Sequence, residues 1–169
     1  KEWIESLNDG RILISTADRP LDMQESWARI TSVEKNEFIT LLGHDDILYP
    51  DFLQPIDELI NRHPRASLYR THFDLIDASG KKIRSCKPMQ LGYTGDELLK
   101  AILTNTVDIM GTGYVMRSKD YDAIGGIPLK YPRLLFADFE LWVQLAEISF
   151  EAVSPVNCFA FRIHQSTTL

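Results

Sequence analysis

The sequence predicts an α/β domain built on a mixed sheet, and two observations carry that prediction. Short apolar runs alternate with amphipathic, helix-length segments through residues 11 to 62, the pattern of successive strand–helix units. After residue 66 the pattern changes to an alternating strand, a hairpin signal and two strand-like runs at the end, which bring further strands into the same sheet.

Lys1 to Asn8 reads as the end of a helix, with Trp3, Ile4 and Leu7 on one face and Asn8-Asp9-Gly10 as its stop. Arg11 to Thr16 (RILIST) reads as a strand, and Ala17 to Leu21 as a turn. Asp22 is placed to cap a helix through Val33, with Met23, Trp27 and Ile30 facing the core. Phe38 to Leu42 is a short, largely apolar run closed by Gly43, which suits a buried strand. Asp51 is expected to cap a helix Phe52 to Arg62 whose buried stripe is Leu53, Ile56, Leu59 and Ile60, with His63-Pro64 ending it.

Ala66 to Asp77 alternates. Tyr69, Thr71, Phe73 and Leu75 fall on one side and Arg70, His72 and Asp74 on the other, predicting a half-buried strand. Asp77-Ala78-Ser79-Gly80 is a hairpin turn, and Lys81 to Cys86 its returning strand. Lys87 to Thr94 has no period and reads as a loop, before a helix from Gly95-Asp96 to about Leu103. Gly111-Thr112-Gly113 leads into a strand, Tyr114 to Arg117; Ser118 caps a turn of helix that stops at Gly125-Gly126. Ile127 to Phe136, with Pro128 and Pro132, is a loop long enough to be functional. A helix from Asp138 to Glu147 and two strands, Phe150 to Val153 and Asn157 to Ile163, complete the domain.

Bulk properties exclude several classes. The 169 residues are 44% hydrophobic and 25% charged, a composition expected of one soluble globular domain over residues 1–169. A net charge of −6 argues against nucleic acid as a partner, because such binding rests on Lys and Arg neutralising phosphates. No apolar run approaches the ~20 residues of a membrane span, and Lys1 to Glu5 is no signal-peptide leader. Cys86 and Cys158 are too few for a disulfide framework and too far apart for a paired-cysteine metal site, which favours a reducing, cytoplasmic compartment. The sequence does not begin with Met, so a trimmed piece of a longer chain is expected.

Three places could carry chemistry. His44-Asp45-Asp46 follows a buried strand, and open α/β sheets bind ligands at that end of their strands. Paired carboxylates there are hard oxygen ligands for Mg²⁺ or Mn²⁺; the plainer alternative is a turn that caps Pro50-Asp51. Asp138 heads a helix and shares a face with Leu141, Trp142, Leu145 and Ala146. It is either an ordinary N-cap or an inward carboxylate able to take a proton from a substrate hydroxyl. Burial would raise its pKa and the helix N-terminus would lower it, so the net sign is open. His164, at the end of the last strand, could ligate a divalent metal or simply be solvated. His63 and His72 are read as structural, and His44 is left open.

In order, these features match a family pattern. Leu42-Gly43-His44-Asp45-Asp46-Ile47-Leu48-Tyr49-Pro50, Trp27-Ala28-Arg29, Asp77-Ala78-Ser79-Gly80-Lys81, Ala137-Asp138-Phe139-Glu140-Leu141-Trp142 and Arg162-Ile163-His164-Gln165-Ser166 resemble the motifs of inverting GT-A glycosyltransferases of family 2. Val115-Met116-Arg117, running to Ile124-Gly125-Gly126, resembles that family's acceptor-side segment. The resemblance implies a GT-A-like (nucleotide-diphospho-sugar transferase) mixed sheet flanked by helices. It also implies transfer of a sugar from a nucleotide-sugar donor to a glycan, lipid-linked or protein hydroxyl, in surface polysaccharide or glycolipid synthesis. Asp45, Asp46 and His164 would hold Mn²⁺ or Mg²⁺ on the donor diphosphate, and Asp138 would be the general base. His44, Trp27, Arg29, Gly113, Tyr114 and Trp142 would bind donor or acceptor, and the Tyr131 to Phe136 loop would help shape the acceptor side.

Departures from the pattern are specific. Gly43 and Ala137 stand where the family carries acidic residues, which lowers the charge around each site. The two strands that hold the nucleoside in such enzymes have no counterpart, so two βα units, ~60 residues at about 30 per unit, are expected to be missing from the N-terminal side. A domain so truncated would hold a nucleotide poorly and expose a sheet edge open to self-association. The competing expectation is a non-catalytic GT-A module that binds a glycan or a partner protein. A third, a Mg²⁺-dependent nucleotidyl or phosphoryl transferase, would use the same paired carboxylates. Association with a membrane surface is compatible with either of the first two.

Overall fold

Residue periods of two and of 3.6 sort the chain into strands and helices in the computed structural model, which describes residues 2–163. In chain order these are α1 (Glu2–Ser6), α2 (Met23–Ala28), β1 (Phe38–Thr40), β2 (Ile47–Leu48), α3 (Leu53–Arg62), β3 (Leu68–Ile76) and β4 (Lys82–Ser85). Then come β5 (Gly92–Tyr93), α4 (Gly95–Leu103), β6 (Tyr114–Arg117), α5 (Ser118–Ala123), α6 (Ala137–Ile148) and β7 (Glu151–Arg162). Short 3₁₀ turns occupy Arg29–Ser32 and Pro132–Leu134.

The seven strands form one mixed sheet flanked by helices, in the order β1-β6-β3-β7-β2, with β4 added to β3 and β5 to β7. β3 and β7 are parallel, while β6 is antiparallel to both β1 and β3. β1, β3 and β7 therefore point the same way, and their C-terminal ends share one edge of the sheet.

β3 departs from the half-buried strand its alternation suggested: it is buried along both faces. Tyr69, Phe73 and Leu75 pack with Val115, Phe159 and α3 on one face, as the period of two requires. Leu68 packs with Met116, Val153 and residues of α4 and α6 on the other. Arg70 also lies on that second face and has no exposure, because Glu151 meets it there.

Other differences have local causes. Arg11 to Thr16 forms no strand; Ile12, Leu13 and Ile14 are exposed, and a strand gains stability only from a neighbour to pair with. The expected buried stripe of α3 loses Leu53, which is 70% exposed, and gains Phe52, which is fully buried. Asp51 does not cap that helix with its side chain; Phe52 occupies the N-cap and the backbone carbonyl of Asp51 accepts from Gln54 N. Arg117, not Ser118, is the N-cap of α5. The two expected final strands are one, interrupted by register shifts opposite Thr71 and His72, where Pro155 and Val156 turn outward. The segment expected to be a loop before α4 contributes the two-residue β5, paired to β7.

Two further readings hold only in part. The strand expected to be buried over Phe38 to Leu42 is β1, half-buried at Phe38 and Ile39 and ended before the exposed Leu42. The helix expected through Val33 stops at Ala28 and continues as a 3₁₀ turn. Several other local readings match. Asp22 caps α2 in a capping box with Glu25, and Thr94 does the same for α4 with Glu97. Asp77 Oδ1 accepts from Ser79 N and Lys81 N to close the hairpin turn, with Gly80 at φ 86°. His72 Nε2 accepts from Met89 N, and the His63 ring packs edge-on against Phe150, so both histidines are structural. No described helix is long and apolar enough to cross a membrane.

Candidate functional site

Two loops and the last residue of β7 meet at the C-terminal edge of β1, β3 and β7, where open sheets present ligand sites. Gly43 to Asp46 follows β1, and the Asp77–Gly80 turn follows β3. Arg162, the last residue of β7, holds the two together. Its Nε donates to Asp45 O at 2.8 Å, and its Nη1 donates to Asp77 O at 2.9 Å and Ala78 O at 3.2 Å. Its backbone N–H donates to Asp46 Oδ1 at 2.9 Å. The Asp46 carboxylate is thus fixed by the sheet itself.

Thr112, just before β6, holds the other oxygen. Its hydroxyl donates to Asp46 Oδ2 and accepts from Gly43 N at 3.1 Å. Gly43 leaves the space these groups share. A Cβ there would lie 2.9 Å from Asp46 Oδ2, 3.1 Å from Asp45 Oδ1 and 3.3 Å from Thr112 Oγ1. Two carboxylate oxygens and one hydroxyl oxygen therefore face one small space. All three are hard oxygen donors and two are anionic, the donor set that suits Mg²⁺ or Mn²⁺. Among the described residues no group of three or more His, Cys, Asp or Glu side chains is clustered for a metal. The expected third ligand, His164, lies outside the described residues, two positions after Arg162. His44 projects into solvent with its Nδ1 3.9 Å from Asp45 Oδ1.

A cleft of about 180 Å³ lies next to this corner, lined by Trp27, Leu41, Gly111, Leu134, Asp138 and Trp142 among others. Leu41 is two residues from Gly43, and Gly111 adjoins Thr112. Consecutive Cα atoms are 3.8 Å apart, so the acidic corner and the cleft are neighbours along both segments. Asp138 sits in the first turn of α6 but does not cap it. Phe136, in a left-handed conformation at φ 69°, takes the N-cap position without a side-chain bond. Leu141, Trp142, Leu145 and Ala146 are buried on the face that the spacing indicated, which leaves Asp138 turned toward the cleft. Burial raises the pKa of Asp138 above 3.8, only partly offset by its hydrogen bonds from backbone N–H groups, among them Phe139 N. A partly buried carboxyl so shifted is suited to proton transfer.

The other expected binding residues divide. Trp27 lines the cleft and packs on the core behind it. Trp142 lines it from below, stacked on Tyr114 at 4.0 Å and donating its indole N–H to Met110 O at 3.2 Å. Tyr114 is buried and accepts a hydrogen bond from Arg70 Nη1, so it supports the cleft floor from beneath. Gly113 has φ 84°, and a Cβ there would strike the Phe159 ring at 2.3 Å. Its identity is explained by packing. Arg29 is not among the residues that line the cleft; it donates to Ser15 Oγ and, at 3.3 Å, to Thr16 O.

Thr112, Arg162, Met23 and Arg133 complete the site and were not singled out for these positions. Arg162 was visible inside the final motif, and Thr112 in a Gly-Thr-Gly run, but only the fold brings both to Asp46. Met23 and Arg133 carried no signal beyond their place in a helix and a loop. Comparison with models of known protein families gives no match to this chain, and comparison with curated proteins gives none.

Proposed function

We propose that the chain is a metal-assisted glycosyltransferase domain, of the GT-A type and family 2, which moves a sugar from a nucleotide-sugar donor to a hydroxyl. A cytoplasmic site and a role in surface polysaccharide or glycolipid synthesis belong to the same reading. One observation carries it: a paired-carboxylate corner at the C-terminal ends of strands that run the same way adjoins, along two chain segments, a cleft lined by an inward, pKa-raised carboxylate.

In this reading Asp45 and Asp46 would hold Mn²⁺ or Mg²⁺, with Thr112 and the Arg162 backbone orienting Asp46 and with His164 as a third ligand. The cation would supply charge neutralisation for the departing nucleoside diphosphate. Arg162 keeps the acidic corner and the hairpin turn in fixed relation. Asp138 accepts the proton of the acceptor hydroxyl, and its raised pKa makes it a stronger base than an ordinary surface carboxylate. Trp27 and Trp142 line the cleft together with that carboxylate and limit water around it.

A second reading, a non-catalytic module of the same fold, draws on a different observation. Both Asp46 oxygens already accept hydrogen bonds, which would also hold a purely structural corner. The two readings separate by titration with Mn²⁺ and a panel of nucleoside diphosphates, using Asp46→Ala as control. Metal-dependent binding lost in the variant supports transfer; metal-independent binding, or no metal-dependent binding in a version that carries the nucleoside-binding units, supports the module. Sugar turnover that survives Asp138→Asn at full rate would remove Asp138 as the base.

A further inference from the structure

On the reading of Asp45 and Asp46 as ligands of a divalent cation, we propose that the Asp77–Gly80 turn sets how tightly that cation is held, with Arg162 as the positioning residue that carries the effect. The turn and the acidic corner belong to separate loops, after β3 and after β1, and one side chain spans them. Arg162 Nε donates to Asp45 O at 2.8 Å, while Nη1 donates to Asp77 O at 2.9 Å and Ala78 O at 3.2 Å. The Arg162 backbone N–H donates to Asp46 Oδ1 at 2.9 Å. One residue therefore fixes the main chain of Asp45 and the carboxylate of Asp46 together. The sheet anchors it: Arg162 pairs with Ile76 in the parallel ladder, and Ile163 N donates to Ile76 O at 2.8 Å.

Two details make the turn the control point. First, Asp77 O accepts from Arg162 Nη1 and also from Gly80 N at 2.9 Å, the bond that closes the turn. Whatever opens the turn therefore moves the acceptor on which the guanidinium rests. Asp77 Oδ1 keeps the turn closed by accepting from Ser79 N at 2.9 Å, Ser79 Oγ at 2.6 Å and Lys81 N at 3.0 Å. Second, the guanidinium bonds only to carbonyl oxygens. Arg70, Arg84 and Arg117 each pair with a carboxylate, but Arg162 makes no ion pair among the described residues. A bridge to a carboxylate of the corner would compete with a cation for the same oxygens; bonds to the backbone orient those groups without the competition. Reaching two loops in different directions takes a planar fork, which arginine has and lysine lacks.

Calorimetric titration of Mn²⁺ into the whole chain and its variants tests the proposal. Arg162→Gln and Arg162→Lys should each weaken Mn²⁺ about 10–100-fold. Asp77→Ala should weaken it about 2–30-fold, and Gly80→Ala, which strains the same turn at φ 86°, should act in the same direction. Asp77→Asn should stay near wild type, because its amide oxygen still accepts from Ser79 and Lys81. The decisive readout is the double variant: in the Arg162→Gln background, Asp77→Ala should cost no further affinity, since the turn acts through the residue already removed. A merely structural turn would instead add its loss in both backgrounds. Additive losses, Arg162→Lys binding as well as wild type, or affinity indifferent to both turn variants would overturn the proposal. Pyrophosphate, added in parallel, tells the two failures apart. Mn²⁺ binding that depends on the turn and Arg162 but is not strengthened by pyrophosphate removes the transferase reading alone. Binding strengthened by pyrophosphate yet indifferent to the turn and Arg162 removes this inference alone, and no Mn²⁺ binding by wild type removes both.

Discussion

Replacing Glu151 by Gln keeps the shape of a buried side chain and removes its charge. The partner is the Arg70 guanidinium, and both side chains have no solvent exposure. Arg70 Nη2 donates to Glu151 Oε2 at 3.0 Å, while Nε approaches Oε1 at 2.9 Å without the alignment of a hydrogen bond. Nη1 reaches Tyr114 Oη and, at 3.3 Å, Asp108 O, and the guanidinium lies 4.8 Å from the Tyr114 ring centre. In Glu151→Gln the amide oxygen can still accept one bond, but the cation is left without a counter-charge in a site closed to water. Breaking a buried pair from one side costs about 3–5 kcal/mol, a large share of the ~5–15 kcal/mol that usually holds a domain folded. At about 2–4 °C per kcal/mol for a chain of this size, the melting temperature should fall by roughly 6–20 °C. Urea unfolding followed by far-ultraviolet circular dichroism measures the change directly. Because Tyr114 stacks on Trp142, the near-ultraviolet signal of the indole should change as well. The double variant Arg70→Met, Glu151→Leu should recover much of the loss, since hydrophobic replacement of such pairs is often neutral or stabilising. A loss below about 1 kcal/mol in Glu151→Gln would refute the reasoning.

Further outcomes are expected at Thr112, Asp138 and Cys158. Thr112→Val removes the hydroxyl that orients Asp46, and Mn²⁺ affinity should drop about 10–100-fold by calorimetry while the fold persists. Asp138 has a folded pKa above its ordinary 3.8, so the native protein binds more protons than the unfolded chain between those two values. Its unfavourable effect on stability is absent below 3.8, grows as pH rises through the window, and is complete above the folded pKa. Asp138→Asn should therefore match wild type in stability at acid pH and exceed it at neutral pH in urea melts. The same variant should lose about 10²–10⁴ of turnover, and the wild-type rate should rise with pH through the raised pKa. Burial pushes the Cys158 thiol up to about 11, so it should react with a thiol reagent at neutral pH only as fast as the protein unfolds.

What could be read from the sequence follows from how local each signal is. The acidic corner was legible because a short apolar run, a glycine and two aspartates are contiguous. The inward side of α6 was legible because positions 138, 141, 142, 145 and 146 repeat with the helix period. Leu68–Ile76 was misjudged as half-buried because Arg70 is charged, and its partner Glu151 is 81 residues away. Thr112 meets Asp46 across 66 residues, which no local pattern encodes. Arg11 to Thr16 has strand composition, but composition cannot supply a neighbouring strand, and in the fold those residues stay exposed.

The central claim is that Asp45 and Asp46 hold a divalent cation able to carry a diphosphate. Electron paramagnetic resonance of Mn²⁺ with added pyrophosphate tests it without requiring recognition of a nucleoside base or a sugar. The account predicts that the free Mn²⁺ signal falls on adding the chain, that with pyrophosphate present the chain lowers it beyond the level set by pyrophosphate alone, and that Asp46→Ala abolishes both of these protein-dependent falls. An unchanged free Mn²⁺ signal, or one that falls equally in Asp46→Ala, would contradict it.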